Sequence, residues 1–177
     1  MLPDTDCATA IYDHGQIRHM SIPPGWEEGE PEAYLGIGYR SFREVHPMLD
    51  PAAKLCFFYR GGPIRPLPGE RFHALITSPA HMLSFSEIKT LGEVLRDRQS
   101  PTDFAMTMAR TEDISGKRVL VVEGRYLDAN DETRALFVDA DLTGRVIQEI
   151  YFQAPRQLYL RYGRLVRDMM NSIAWRS

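Results

Sequence analysis

Near the end of the chain, hydrophobic and polar positions alternate with a period of two in three successive runs, then switch to a period near 3.6. Residues 119–127 set Leu120, Val122 and Tyr126 against Val119, Val121 and Leu127. The run is rich in β-branched and aromatic side chains, which predicts a strand, and its apolar residues on both sides predict cover on both faces. Residues 134–140 set Leu136 and Val138 against Phe137, and residues 146–152 set Val146, Ile150 and Phe152 against Ile147 and Tyr151. Asn130-Asp131 and Asp141-Leu142-Thr143-Gly144 are turn formers between these runs. Tight turns impose antiparallel pairing, so the three strands are expected to form a meander. After Pro155, the residues Leu158, Tyr162, Leu165, Val166, Met169, Met170 and Ile173 recur at steps of three and four. That spacing predicts a helix over 158–173 with its apolar stripe on the sheet. Gly163 inside it costs about 1 kcal/mol relative to alanine, which predicts a close packing contact there.

Upstream the pattern is weaker. Residues 1–10 have no period and are expected to form a loose arm. A strand is expected within 11–22, where Ile17, His19 and Ser21 alternate with Arg18, Met20 and Ile22 until Pro23-Pro24-Gly25 stops it. Trp26 follows that turn, and Glu27, Glu28, Glu30 and Glu32 follow in a segment broken by Gly29 and Pro31, read as an acidic loop. Strands are predicted over 33–42, 55–59 and 72–77. Residues 43–53, with Pro47 and Pro51, are predicted as a loop, and Gly61-Gly62-Pro63 as a break leading into a proline-rich segment up to Gly69. Ser84 and Glu87 have capping-box spacing and predict a helix over 85–97 with Ile88, Leu91 and Leu95 buried. Ser100-Pro101 ends that helix, residues 104–110 alternate as a strand, and Ser115-Gly116 turns into the meander. The expected architecture is α+β: one domain over 1–177, mainly an antiparallel sheet, with one helix ahead of the meander and one behind it.

Composition narrows the function classes. A chain of 177 residues buries roughly 70% of its unfolded surface, enough for a core without metal or disulfide. Hydrophobic residues make up 44% and charged residues 25%, as in globular proteins. A net charge of −3 and a pI near 6.0 argue against general nucleic-acid binding. Arg156, Arg161, Arg164 and Arg167 therefore read as a solvated helix face. Cys7 and Cys56 have no disulfide framework around them, which fits reduced thiols in a cytoplasm. The N-terminus shows no basic segment followed by an apolar run, and no run reaches membrane-spanning length.

Candidate chemistry is sparse. Cys56 with His73 or His81 as base is one constellation, but the thiol lies within Leu55-Cys56-Phe57-Phe58 and reads as core. His14, His19, His46, His73 and His81 lack zinc-ligand spacing. Asp139 to Gly144 matches the first half of a calcium loop, yet Ile150 stands where the bidentate Glu is required, so a hairpin turn is expected. Gly36-Ile37-Gly38 lacks the third glycine of a dinucleotide fingerprint. Met82, Met106, Met108, Met169 and Met170 are candidates for a sheet–helix pocket, or for ordinary core. The four glutamates of the acidic segment suit a paired-carboxylate acid/base site only if one is desolvated, and the broken loop argues for a solvated or docking role instead. No catalytic residue, metal or cofactor is expected.

The order of elements resembles the PsbP/Mog1/DcrB-like α/β sandwich. The resemblance rests on Ile22-Pro23-Pro24-Gly25-Trp26, a central helix, a meander entered through Gly116-Lys117-Arg118, and a terminal helix between Phe152-Gln153-Ala154-Pro155 and Ser172-Ile173-Ala174-Trp175. It implies a non-enzymatic adaptor, chaperone or assembly factor. In size and character the chain is also similar to bacterial immunity proteins that neutralise a co-encoded secreted toxin. The expected function is direct binding of a protein partner, most concretely a basic, type VI-like toxin, in the cytoplasm. Trp26 with Glu27, Glu28, Glu30 and Glu32 is the expected partner-binding surface. The alternatives are a secretion chaperone holding an apolar client segment and a small-molecule enzyme with a pocket between sheet and helix.

Overall fold

The computed structural model describes residues 9–11, 16–29, 39–60, 66–96 and 104–177. In chain order the elements are β1 (Thr9–Ile11), β2 (Ile17–Ile22), β3 (Trp26–Glu28), β4 (Tyr39–Pro47), β5 (Lys54–Arg60), α1 (Pro66–Thr77), α2 (Phe85–Arg96), β6 (Phe104–Ile114), β7 (Lys117–Tyr126), β8 (Asp131–Asp139), β9 (Ile147–Pro155), α3 (Arg156–Asn171) and β10 (Ala174–Trp175). The meander and its helix are where the periodicity places them. β6, β7, β8 and β9 pair in succession, all antiparallel. The full sheet has the order β3-β4-β5-β9-β8-β7-β6, and a smaller sheet has the order β1-β2-β10.

Alternation along the central strands divides the core in two. Val119, Val121, Leu136, Val138, Ile150 and Phe152 face one side, together with Val166, Met169 and Met170 of α3 and Ile17, Met20 and Ile22 of β2. Leu120, Val122, Ala135, Phe137 and Ile147 face the other, with Phe72 and Ile76 of α1 and Leu91 of α2. The sheet is thus a middle layer with a helical layer on each face. After α3, Ala174 and Trp175 pair back onto His19 and Ile17, and the Trp175 indole N–H donates to the Ile114 carbonyl at 2.7 Å. The outer edge of β6 is covered in part: the Leu83 N–H donates to Ala109 O at 3.0 Å and the Thr111 N–H to His81 O at 2.9 Å. That pairing blunts an edge that would otherwise be open to other chains.

Four expectations change. Residues 72–77 are the second half of α1 and not a strand. Pro66 and Pro68 do not break the chain there; they occupy the first turn of α1, where missing N–H groups are not needed. Phe72 and Ile76, four residues apart, are its buried stripe. Residues 43–47, expected in a loop, extend β4 to Pro47. Their charges hid the strand, because Arg43, Glu44 and His46 find partners across it in Glu28, Lys54 and Glu27. Residues 9–11 form β1, which runs antiparallel to β2, so the expected loose arm is already paired at residues 9 and 10, while residues 1–8 lie outside the described residues; the strand expected within 11–22 is β2. Gly163 has no close packing contact: a Cβ there would meet the Tyr159 ring no nearer than 3.9 Å, and α3 runs through it unbroken.

A close approach does occur elsewhere. Gly144, at φ 73°, lies on the first turn of α1, where a Cβ would stand 2.0 Å from the Gly69 carbonyl oxygen. The turn between β8 and β9 and the start of α1 are thereby pressed backbone to backbone.

Candidate functional site

The expected partner surface begins at β3, which the Pro23-Pro24-Gly25 turn leads into. Trp26 pairs with Pro47, is 8% exposed, and meets Tyr162 of α3 edge to face with ring centroids 5.9 Å apart. The ring fills the end of the core, so it is not a projecting anchor. Glu27 and Glu28 are exposed on β3 rather than on a loop. Glu28 accepts two hydrogen bonds from the Arg43 guanidinium, each 2.7 Å, and this pairing holds its carboxyl below the usual range. Glu27 lies 3.3 Å from His46. Glu30 and Glu32 fall outside the described residues. The structure therefore brings two of the four glutamates to one end of the sheet and places the tryptophan beneath them.

The same end carries a feature that sequence reasoning passed over. The β4–β5 turn exposes Met48 (57%) and Leu49 (91%). It is tightly held: Met48 N–H donates to Gly25 O at 2.9 Å, Asp50 N–H to Pro47 O at 3.0 Å, and Ala53 N–H to Asp50 O at 3.0 Å. Asp50 also accepts from the Arg161 guanidinium at 2.9 Å and from the Tyr162 hydroxyl. These donors lower the Asp50 pKa, the tyrosine contributing most. Two apolar side chains are thus presented on a turn fixed to β3 and α3. The signal in the sequence was Pro47-Met48-Leu49-Asp50-Pro51, an apolar pair bracketed by prolines.

The other constellations have structural employment. Cys56 is 3% exposed, and burial pushes its thiol up to about 12, which disfavours the thiolate needed for attack. His73 Nδ1 lies 2.8 Å from Asp139 Oδ2, joining α1 to the end of β8. His81 donates toward the Pro79 carbonyl at 2.7 Å and Glu87 at 2.9 Å, and both contacts raise its pKa. Glu87 is pulled down to about 2, chiefly by Ser84. Ser84, Glu87 and His81 do not form a nucleophilic relay. The carboxylate lies between hydroxyl and imidazole, whereas activation requires the imidazole in the middle. They form the capping box of α2, with the Ser84 N–H donating to Glu87 at 2.7 Å. In the 139–144 turn, Asp139 accepts from Gly144 N–H at 3.0 Å and Asp141 from the Thr143 hydroxyl at 2.6 Å, so the carboxylates shape the turn. Gly36 and Gly38 fall outside the described residues. Among the described residues no group of three or more His, Cys, Asp or Glu is arranged to hold a metal ion, and no helix is long and apolar enough to cross a membrane.

The methionines do not share a pocket. Met169 and Met170 are core, Met106 and Met108 pack on opposite faces across a β-bulge, and Met82 is 60% exposed. On α3, Arg156, Arg161 and Arg167 are paired with Glu132, Asp50 and Glu123 rather than presented as a basic stripe. Two clefts border the helices. One, of about 310 Å³, lies between α1 and α2 over Phe72, Leu75 and Leu91, with Arg71, Ser78 and Glu87 at its rim. The other, of about 390 Å³, lies between α3 and the outer strands β6 to β8.

No protein-family model matches the chain, and no curated protein matches it. Solved structures do. The chain is similar to the cyanobacterial PsbP protein CyanoP of Synechocystis sp. PCC 6803, known from a solution structure. The TM-score is 0.57 at 11% identity, over 99% of this chain and 98% of that one. The chain has a PsbP-like α+β fold, as the order of its elements implied. At that identity the likeness carries the fold and nothing of the function.

Proposed function

We propose that this chain is a non-enzymatic, protein-binding domain that docks its partner at the β3 end of the sheet. The observation that supports this most is the exposed Met48–Leu49 pair on a turn already fixed by Gly25, Asp50, Arg161 and Tyr162. A patch ordered before binding loses little entropy on association. An apolar pair beside the charged edge of β3 also matches the anatomy of an interface, with an apolar centre and a polar rim. The glutamates from Glu27 to Glu32 and the net charge of −3 favour a basic partner. The most concrete form of the reading is a bacterial immunity protein. It would sit in the cytoplasm and neutralise a co-encoded, type VI-like secreted toxin by binding it directly, with no catalytic step and no cofactor.

The test uses the protein encoded beside this one as the partner. Leu49→Asp should leave folding within about 0.5 kcal/mol, as exposed changes do. It should weaken binding by about tenfold or more and abolish protection when the two are co-expressed. Glu27→Lys with Glu28→Lys should slow association at low salt, with the difference shrinking as salt is raised. Unchanged affinity in Leu49→Asp would remove the turn from the interface and the reading with it.

A further inference from the structure

The cleft between α3 and the outer strands lies at the β6 edge of the sheet, opposite the β3 edge assigned to protein docking. Its walls are Ala105 and Thr107 of β6 and Tyr159 and Leu160 of α3, and Arg125 of β7 lines it too. The Tyr159 ring is fixed by stacking on Phe152, with centroids 5.4 Å apart.

This side of the sheet carries a belt of charge. Arg110 pairs with Glu112 at 2.5 Å. Arg134, 5% exposed, bonds both Glu112 at 2.8 Å and Glu123. Arg167 reaches Glu123 at 3.6 Å, and Arg156 reaches Glu132 at 3.3 Å. Arg125 stands directly across from Glu132 in the β7–β8 register, but Glu132 is turned to Arg156 of α3. Among the described residues Arg125 has no carboxylate partner, although it lines the cleft. Guanidinium groups on this face outnumber the carboxylates that hold them, and the unmatched one lies where a ligand has room.

We propose that this cleft binds a small organic monocarboxylate, with the carboxylate on Arg125 and an apolar body between Ala105, Tyr159 and Leu160. A guanidinium fork matches a carboxylate with two parallel charge-assisted hydrogen bonds. A cleft of about 390 Å³ is in the size range of small-molecule sites. Glu132 at the same lining disfavours a dianion such as a phosphate monoester, and the apolar walls disfavour a bare inorganic ion.

The experiment is calorimetric titration of the full chain with benzoate and hexanoate, each against its neutral amide. Both acids should bind saturably and both amides about tenfold or more weaker, the loss expected when a charged hydrogen-bond pair is removed. Arg125→Gln should reduce acid binding to the level of the amides. Leu160→Glu changes a side chain that lines the cleft but is 73% exposed, so the fold is kept; the lost apolar wall should weaken acids and amides alike, and the added charge should weaken the acids further. Absence of saturable binding by either acid, equal affinity for acid and amide, or undiminished binding in folded Arg125→Gln would each overturn the proposal.

Discussion

The two faces of the large sheet are closed by different means. Under α3 the closure is by side-chain packing. One sixteen-residue amphipathic helix lays Val166, Met169 and Met170 on Val121, Leu136, Val138 and Ile150, and its N-cap, Pro155, offers no side-chain bond. Under α1 and α2 the apolar contact is smaller, and the two short helices are fixed by polar and backbone contacts. These are Gly69 on Gly144, His73 on Asp139, and the Ser84–Glu87–His81 group. A packed face should respond chiefly to lost volume, with its pH response confined to rim pairs such as Asp50 with Tyr162 and Arg161. A face pinned by backbone approach and hydrogen bonds should respond to a single added methyl group or a proton.

The largest effect is expected on the packed face. Met169 is 4% exposed, and Met169→Ala should destabilise by about 2–5 kcal/mol in chemical denaturation. A change near 0.5 kcal/mol, typical of surface sites, would mean that α3 is not the principal cover. Next comes the pinned face. Gly144→Ala adds a Cβ at φ 73° against the Gly69 carbonyl. The backbone angle alone costs about 1–2 kcal/mol, and the contact adds to it. If Gly144→Ala unfolds no more easily than the wild type, α1 is not held by that approach.

A smaller effect of opposite sign sharpens the contrast. At Gly163 a Cβ would make only an ordinary contact with the Tyr159 ring, so Gly163→Ala should stabilise by about 1 kcal/mol through helix propensity. A loss of stability would reveal a packing contact at α3 that the geometry does not show.

The smallest effect is the pH response of α2. The Glu87 pKa is lowered from 4.5 to about 2, so its contribution is present above pH 4.5 and is lost as pH falls toward 2. The His81 pKa is raised above 6.5, so its contribution is present below that pH and fades as pH rises through the higher folded value. Amide protection at the start of α2, taken relative to the unstructured exchange rate at each pH, should therefore be greatest between these limits. Glu87→Gln, which can still cap, should flatten the acid limb. An acid limb identical in wild type and variant would separate Glu87 from the anchoring of α2.

Legibility in the sequence follows the same division. Val119 to Phe152 and the stripe from Leu158 to Ile173 could be read because each apolar residue there serves the element it sits in, with period two or 3.6. α1 was misread because Pro66, Pro68 and Gly69 carry break signals whose meaning depends on position. At a first turn packed on Gly144 they open a helix rather than end a strand. β4 was cut short at residue 43 because its charged residues find their partners across the strands, in Glu27, Glu28 and Lys54, where a linear pattern records only polarity. The candidate site was half legible. The charged segment was marked by composition, but its tryptophan turned inward to meet Tyr162, and the exposed apolar pair lies in a turn that carries no period.

The chain by itself determined the meander, its closing helix, the α2 capping box and the division of strand residues between two faces. Those depend on neighbours a few residues apart, and the sequence states such neighbours directly. Tertiary structure alone decided which charges are spent and which are spare. Arg134 is matched by Glu112 and Glu123 from two other strands. Glu132 turns to Arg156 on α3, and Arg125 is left facing a cleft. An ion pair is a matter of a few ångströms between atoms that the chain separates by tens of residues, and only the folded backbone sets that distance.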